Sequence, residues 1–280
     1  MRNDPKDFGR CLVPDVLSNG VRLYYSETGS GPETIIFSHS YLVDSRHFDP
    51  QVASLEDRYR CIAFDHRGHG RSEVARDGYE MENLYRDAVG LIEALACAPC
   101  HFVGLSTGGF IGLRIGLRRP DLLRSLVLMD TSADAEPAEV RGQYRLMLAV
   151  LRWVGYRPLM GRAMQMIFGP KFLNDPARAR EVRAWRRRMM SNDRFAMANF
   201  GHGIFSRRSV HDRIDAIDTP TLVVVGENDV AIPPERARRI AYRIPGAALQ
   251  VIPDAGHLCT VEEPKAVNAA LEAFLAGLDG

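Results

Sequence analysis

The sequence lacks the features that would place it among membrane, exported or nucleic-acid-binding proteins. Its 280 residues contain no uninterrupted run of about eighteen apolar residues, which a membrane-spanning helix would need. Met1 to Arg10 is polar and charged and has no apolar centre like that of an export signal. The formal net charge of +1 gives no strong overall field for nucleic acid or an anionic membrane. We therefore predict a cytoplasmic protein with no nucleic-acid or membrane partner.

Cysteine is too scarce, and odd in number, to form a disulfide framework. Such a scattered set indicates a reducing compartment. Cys97-Ala98-Pro99-Cys100 has the C-x-x-C spacing of redox and zinc motifs, but the sequence has no second pair to complete a tetrahedral site. We expect these two thiols to be small apolar residues at the edge of the core, and we predict no metal and no organic cofactor. The five cysteines are Cys11, Cys61, Cys97, Cys100 and Cys259.

The sequence does contain a regular alternation of apolar runs and helical patterns. Tyr79 to Ala96, for example, repeats apolar residues with the spacing of one helix face. Continuously apolar strands that alternate with helices favour a mostly parallel sheet covered on both faces, which is an α/β fold. Ligands of such sheets bind beyond the carboxyl ends of the strands. The predicted strands are Val21 to Ser26, Thr34 to Ser38, Tyr59 to Phe64, Cys100 to Leu105, Ser125 to Met129, Thr221 to Val225 and Ala248 to Ile252.

Residues 133–211 interrupt this alternation. They contain no strand-like run but have helical patterns, including Tyr144 to Val154 and Pro176 to Met190. We predict a helical cap over the carboxyl edge of the sheet, inserted between core segments 1–132 and 212–280. The cap has fourteen arginines and one lysine against six acidic residues. This excess fits either a site for an anionic group or a solvated helix face with local ion pairs.

A serine nucleophile is indicated by the pentapeptide Gly104-Leu105-Ser106-Thr107-Gly108, which lies between a predicted strand and a predicted helix. A sharp turn at this point would expose the hydroxyl of Ser106. The two glycines have no Cβ, so they allow the strand and helix backbones to approach closely around a strained residue.

A serine hydroxyl needs a base, and the base needs an acid that fixes its tautomer. His257 follows the last predicted strand, and Asp229 follows the strand before it. The chain order serine, aspartate, histidine is that of G-x-S-x-G hydrolases. We therefore predict that Ser106 is the nucleophile, Asp229 the acid and His257 the base. Asp130, at the end of another strand, and Asp254, close to the histidine in sequence, are competing acids.

One further motif strengthens this interpretation. Asp65-His66-Arg67-Gly68-His69-Gly70-Arg71-Ser72 resembles the D-x-R-G-x-G-x-S loop of the α/β-hydrolase superfamily. Together with the serine, aspartate and histidine loops, it makes the chain from about Gly20 to Phe274 similar to this superfamily. The greatest similarity is to its small, capped bacterial branch of carboxylesterases, 3-oxoadipate enol-lactonases, cofactor-free haloperoxidases and C–C bond hydrolases. The resemblance implies an α/β-hydrolase fold with an eight-stranded, mostly parallel sheet flanked by helices.

Two backbone N–H donors must bind the oxyanion that forms on a substrate carbonyl. Thr107, directly after the predicted nucleophile, is expected to supply one. Relatives carry H-G-x after the strand Thr34 to Ser38, where this chain has His39-Ser40-Tyr41, so the resemblance assigns the second donor to Tyr41. Ser40 replaces the glycine and would be strained if that position required a positive φ. Loop hydrogen bonding is the role expected for His39, His66 and His69.

The combined prediction is a serine hydrolase that cleaves a carboxylic ester or lactone of a small, largely apolar molecule through an acyl-enzyme. A thioesterase, a C–C bond hydrolase, or an acyltransferase or perhydrolase would use the same three side chains. A ligand-binding receptor without catalytic activity is the alternative from another class. The expected partner is a small molecule, and the prediction also allows a homodimer.

Overall fold

The computed structural model describes residues 14–278, which form one mixed sheet and its flanking helices. Cys11 and the polar segment Met1 to Arg10 lie outside the described residues. None of the helices within residues 14–278 is long and apolar enough to cross a membrane. The strands are β1 (Asp15–Ser18), β2 (Val21–Thr28), β3 (Thr34–Ser38), β4 (Arg60–Phe64), β5 (Cys100–Leu105), β6 (Leu123–Met129), β7 (Thr221–Gly226) and β8 (Ala248–Ile252).

The eight strands lie in the order β1-β2-β4-β3-β5-β6-β7-β8 across the sheet. β2 pairs antiparallel with β1 and β4, and all other neighbouring pairs are parallel. The α/β fold with an eight-stranded, mostly parallel sheet is therefore confirmed. The seven strands predicted from apolar runs agree with the structure within two residues at each end. The eighth, β1, has only Val16 and Leu17 as apolar residues, which is too short a run for that criterion.

The central strands are buried along their whole length, which explains their continuous apolar sequence. Every residue of β3, β5 and β7 is buried, and Phe37 and Phe102 are wholly inaccessible to solvent. A parallel strand covered by helices on both faces has no solvated side, so it shows no polar alternation. β8 is different, because it forms an edge of the sheet and most of its residues are exposed.

The helices divide into two groups. Those that accompany the sheet are α1 (Asp49–Leu55), α2 (Met81–Ala94), α3 (Thr107–Arg118), α9 (Pro234–Arg243), α10 (Cys259–Glu262) and α11 (Pro264–Ala276). Those between β6 and β7 are α4 (Arg141–Trp153), α5 (Arg157–Ile167), α6 (Pro170–Asn174), α7 (Ala179–Met190) and α8 (Arg194–Phe205). Short 3₁₀ turns cover Ser45–Phe48, Pro120–Leu122, Ala138–Val140, Pro176–Arg178 and His211–Ala216.

The helices between β6 and β7 contact the loops at the carboxyl ends of three strands. Asn192 donates to the carbonyl oxygen of Leu42, after β3, at 2.9 Å, and accepts from the amide of Gly70, after β4, at 3.2 Å. The amide of Leu258, after β8, donates to the carbonyl of Ile167 at 3.1 Å. These helices therefore lie over the edge of the sheet where chemistry is expected. We refer to them as the cap and keep 133–211 as its proposed limits.

Candidate active site

Ser106 occupies the turn between β5 and α3. Its backbone has φ 54° and ψ −105°, a left-handed φ that is unfavourable for a residue with a Cβ. The neighbouring strand holds this conformation, because the amide of Ser106 donates to the carbonyl of Met129 at 2.8 Å and Thr131 Oγ1 donates to the carbonyl of Ser106 at 2.8 Å. The strained turn is thus stabilised by β6 and by the residues that follow it.

The two glycines of the pentapeptide are required by close backbone contacts. A Cβ on Gly104 would overlap the carbonyl group of Gly108, and a Cβ on Gly108 would overlap the carbonyl oxygen of Ser38 in β3. Thr107 begins α3, so its backbone N–H belongs to the first turn, where helical amides have no partner within the helix. This N–H is therefore available to an anionic group near the helix N-terminus.

His257 and Asp229 form a hydrogen-bonded pair in the loops after β8 and β7. Nδ1 of His257 lies 2.8 Å from Oδ2 of Asp229, and since a carboxylate can only accept, Nδ1 carries the proton. The other carboxylate oxygen accepts from the amides of Ala231 at 2.8 Å and Ile232 at 2.9 Å. The Asp229 side chain is inaccessible to solvent, and that of His257 is 6% exposed. The backbone amides that follow Asp229 therefore fix its carboxylate, and the carboxylate orients the imidazole of His257.

The pair also changes the acidity of the imidazole. Burial disfavours the charged imidazolium, but the negative charge of Asp229 and its hydrogen bond favour it, and together they raise the pKa of His257 above its usual value. A more basic imidazole accepts a proton more readily, as a general base must.

Asp130, one of the competing acids, lies close to this pair but is not hydrogen-bonded to the histidine. It follows β6 with φ 46° and is fully buried. Its Oδ1 accepts from the amide of Gly226 at 2.7 Å, and Oδ2 has no hydrogen-bond partner among residues 14–278. Burial and the charge of Asp229 raise the pKa of Asp130 well above its usual value. This carboxyl group therefore holds its proton to a much higher pH than an exposed aspartate does.

Asp254, the other competing acid, lies at the surface. Its carboxylate is 58% exposed and pairs with the ammonium group of Lys171 on the cap at 3.0 Å. Because β5, β6, β7 and β8 are consecutive across the sheet, the structure brings Ser106, Asp130, Asp229 and His257 to four neighbouring strand ends, and directs Asp254 towards solvent.

The loop after β3 is organised by buried histidines. His39 Nε2 accepts from the amide of His66 at 2.8 Å, so its Nδ1 is protonated and donates to the carbonyl of Ser40 at 2.6 Å. The amide of Leu42 donates to Nε2 of His69 at 3.3 Å. Burial lowers the pKa of all three imidazoles, which favours their neutral forms. Loop hydrogen bonding, the role expected from the sequence, is the one that these histidines have.

The structure also locates the strain in this loop. The residue with a positive φ is Leu42, at 68°, and not Ser40. The serine in place of glycine therefore bears no left-handed strain. The Tyr41 side chain points to the cap, where its hydroxyl donates to the carbonyl of Met197 at 2.8 Å and its ring is stacked on Phe200, with centroids 5.8 Å apart. Any contribution of Tyr41 to an oxyanion site thus comes from its backbone.

The remaining sequence motifs are structural. Cys97 and Cys100 are both buried, and burial raises the pKa of the Cys97 thiol to about 11 and raises that of Cys100 as well, so neither is a reactive thiolate. Within residues 14–278, no three His, Cys, Asp or Glu side chains are grouped so as to hold a metal ion. Several cap arginines form ion pairs, among them Arg207 with Glu136 at 2.7 Å.

One residue near the site was not singled out from the sequence. Glu262 lies five positions after His257, at the end of α10, and is 2% exposed. Its only sequence signal is its place as the first of two glutamates after the short run Leu258-Cys259-Thr260-Val261. The burial of the Glu262 side chain was therefore not predictable from the local sequence pattern.

Comparison with known proteins shows the family to which the chain belongs. A family model described as "Alpha/beta hydrolase family" matches residues 35–270. The chain belongs to the α/β-hydrolase family. Hydrolysis is accordingly the class of reaction that its membership indicates.

Similar proteins include enzymes that act on esters and lactones. A candidate carbamate hydrolase, RutD, of Caulobacter sp. (strain K31) is 29% identical over 270 residues, covering 90% of this chain and 96% of its own. A solved thermophilic esterase from Thermogutta terrifontis has a TM-score of 0.88 at 28% identity, covering 95% and 99% of the two chains. The solved enol-lactonase of Burkholderia xenovorans has a TM-score of 0.87 at 27% identity, covering 94% and 100%.

Proposed function

We propose that the protein is a serine hydrolase that cleaves a carboxylic ester or lactone of a small, largely apolar molecule. The observation that carries the proposal is the His257–Asp229 hydrogen bond of 2.8 Å, buried at the same sheet edge as the strained turn of Ser106. With Nδ1 protonated and bound to the carboxylate, Nε2 is left as the nitrogen that can accept a proton.

In the proposed reaction, the Ser106 oxygen attacks the substrate carbonyl carbon while its proton passes to Nε2 of His257. The tetrahedral oxyanion is bound by the backbone N–H groups of Thr107 and Tyr41. When the C–O bond to the leaving group breaks, His257 returns the proton to the leaving alkoxide, and an acyl-enzyme remains. His257 then takes a proton from water, whose oxygen attacks the ester carbonyl of the acyl-enzyme. When the bond between the acyl carbon and Oγ of Ser106 breaks, His257 returns this proton to Oγ and the acid is released.

The choice of esters and lactones is supported by the names of the similar structures, an esterase and an enol-lactonase. An apolar substrate is supported by the aromatic side chains that join the loop after β3 to the cap. The ring of Tyr41 lies within 6.0 Å of Phe200 and Phe205, and Phe205 is in turn stacked on Tyr144 at 4.1 Å. The cytoplasmic location and a homodimer stay predictions from the sequence.

The proposal is tested with p-nitrophenyl esters, acyl thioesters and lactones, and with a fluorophosphonate that labels activated serines. We expect turnover of esters or lactones, stoichiometric labelling at Ser106, and loss of both in Ser106→Ala. Ser54→Ala, the same change in α1, is the control and retains both. Full turnover by Ser106→Ala, or labelling at another serine, would contradict the mechanism.

The same panel separates the alternatives. Preferred thioester turnover would indicate a thioesterase. Transfer of the acyl group to an added alcohol, amine or peroxide in preference to water would indicate an acyltransferase or perhydrolase. Binding of ligand with neither turnover nor serine labelling would indicate a receptor.

A further inference from the structure

Glu262 is a buried carboxylate that the proposed reaction does not use. Its Oε2 accepts from the amide of Gly169, in the cap, at 2.7 Å. Its Oε1 is buried and has no hydrogen-bond partner among residues 14–278. Burying a carboxylate that is only partly hydrogen-bonded costs free energy. Such a group is more easily explained by a role at the site than by a contribution to stability.

The carboxylate lies where the cap meets the loop of His257. Gly169 and Gly256 are packed so closely that a Cβ on Gly256 would overlap the backbone of Gly169. Two residues after Gly256 and two residues before Gly169, the amide of Leu258 donates to the carbonyl of Ile167 at 3.1 Å. We call this contact, between residues 167–169 of the cap and 256–258 of the core, the cap joint. His257 is the middle residue of its core side.

The carboxylate of Glu262 lies beside the backbone of the cap joint, because a Cβ on Gly169 would meet both Oε2 of Glu262 and the amide nitrogen of Gly256 at 3.0 Å. Interactions with the amides of Gly169, Gly256 and Leu258 favour the ionised form of Glu262. Gly256 and Leu258 are the two neighbours of His257 in the chain. Glu262 lies beside the first, across Gly169, and its own backbone N–H donates to the carbonyl of Leu258 at 3.1 Å. A restraint at both neighbours limits the rotation and displacement of the residue between them.

Glu262 also interacts electrostatically with the imidazole. Its negative charge contributes to the raised pKa of His257, and the imidazolium in turn favours ionisation of Glu262. Burial has the larger effect on the carboxyl group and raises its pKa to about 7. The ionisation of either group therefore changes the pKa of the other.

The other charged and titratable groups around Glu262 come from both sides of the cap joint. Lys171 of the cap is paired with Asp254 and Glu263, and Arg178 donates to the backbone carbonyl of Glu262 at 2.7 Å. Asp175 and Glu262 line the same cavity of about 180 Å³, and the charge of Glu262 helps to raise the pKa of the buried Cys259 thiol. Since these cations are engaged elsewhere, no cation forms a direct pair with the Glu262 carboxylate among the residues described.

We propose that Glu262 is a positioning residue, which holds the His257 loop against the cap and keeps the imidazole in the orientation set by Asp229. It acts through its contacts with the cap joint and through its charge, and it does not touch the substrate. The inference rests on the proposed function, because it assigns a role in orienting the proposed base.

The decisive variant is Glu262→Gln. Glutamine keeps an acceptor for the Gly169 amide and nearly the same volume, but it has no negative charge. Loss of the charge lowers the pKa of His257, so the acid limb of kcat/KM against pH moves to lower pH by about 0.5 unit. We expect kcat to fall about 3- to 10-fold with KM little changed, since the residue positions the base rather than the substrate.

Glu263→Gln is the matched control. This neighbouring glutamate is more exposed and pairs with Lys171 at 2.8 Å. It undergoes the same chemical change without reaching the amides of the cap joint. We expect its pH profile to coincide with that of the wild type. An equal shift in both variants, or no shift in Glu262→Gln, would overturn the proposal.

A second measurement does not depend on turnover. The pKa of His257 is read by NMR from labelled imidazole in the wild type and in both variants. The wild-type titration is expected to deviate from a single-proton curve, because the charge of Glu262 develops near pH 7 and favours the imidazolium. The Glu262→Gln titration is expected to be simple and shifted to lower pH. A single-proton wild-type curve would contradict the inference even if the variant did not fold. If the protein cleaved no ester or lactone but the titrations behaved as described, the proposed function would fail and the coupling between Glu262 and His257 would stand.

Discussion

Replacing Asp229 with asparagine is expected to abolish most of the activity without changing the shape of the site. Oδ1 of Asp229 accepts from two backbone amides, at 2.8 and 2.9 Å, and Oδ2 accepts from His257 at 2.8 Å. Asparagine cannot accept from both the backbone amides and the imidazole. Its amide nitrogen is a donor, and all three partners are donors as well. If the amide oxygen remains with the backbone, the NH2 group faces Nδ1 of His257, which must then accept. The imidazole proton moves to Nε2.

The magnitude follows from the loss of this tautomer and of the charge. With its proton on Nε2, His257 cannot accept the proton of Ser106. Removing the acid of a serine protease triad in this way lowers kcat by about 10⁴-fold. We expect kcat/KM to fall by about 10³- to 10⁴-fold in Asp229→Asn, which corresponds to roughly 4 to 5 kcal/mol of transition-state stabilisation.

Asp130→Asn is the matched control. Burial and the charge of Asp229 raise the pKa of Asp130 well above its usual value, which favours the neutral form of the wild-type side chain. Asparagine is also neutral, has the same shape and keeps an acceptor for the amide of Gly226. We expect kcat/KM to stay within about three-fold of the wild type, since Asp130 makes no hydrogen bond to His257 and its bond with Gly226 is kept.

The assay is the initial rate of ester hydrolysis across the pH range, with thermal unfolding of each variant measured in parallel. A raised pKa means that Asp130 of the folded wild type keeps a proton that the unfolded chain releases. Its contribution to the free energy of unfolding is therefore lost as the pH rises through the pKa of the folded state. Asp130→Asn should therefore resist alkaline unfolding better than the wild type. The reasoning is refuted if Asp130→Asn is inactive while Asp229→Asn retains near-normal kcat/KM.

Three further predictions concern residues around the site. Gly108→Ala places a Cβ against the carbonyl oxygen of Ser38 in the neighbouring strand. It should therefore lower the free energy of unfolding by about 2 to 4 kcal/mol in urea titrations. An unchanged urea midpoint would contradict this close contact between Gly108 and Ser38. Arg67→Met breaks a buried ion pair with Asp87, in which the arginine and aspartate side chains are 5% and 1% exposed. It should lower the free energy of unfolding by about 3 to 5 kcal/mol. The double variant Arg67→Met with Asp87→Leu should recover much of this loss. If the double variant were no more stable than the single one, the unpaired charge would not be the cause. Tyr41→Phe removes only the hydrogen bond from the hydroxyl to Met197, so thermal melting should show a free energy of unfolding lower by about 1 kcal/mol. We expect kcat to be unchanged, because the proposed role of this residue belongs to its backbone N–H. A large fall in kcat would instead assign the hydroxyl to the reaction.

The parts of the site that were predictable from the sequence are those with local causes. The turn at Ser106 is signalled by its own glycines, and the loops of Asp229 and His257 by the apolar strands before them. The choice between Asp130 and Asp229 had no local cause, because both follow strands whose carboxyl ends meet at one edge of the sheet. Only the tertiary structure shows that Asp229 contacts the imidazole, and that Asp254 lies at the surface and forms an ion pair with Lys171.

The sequence by itself determined the α/β fold class, the position of seven strands and the chain order of serine, aspartate and histidine. It could do so because periodicity, glycine and turn chemistry act within a few residues of one another. The tertiary structure alone decided which carboxylate binds His257, that Leu42 rather than Ser40 takes the positive φ, and that Glu262 is buried at the contact between cap and core. Each of these depends on backbone and side chains brought together from distant parts of the chain, where packing and burial set the geometry and the pKa.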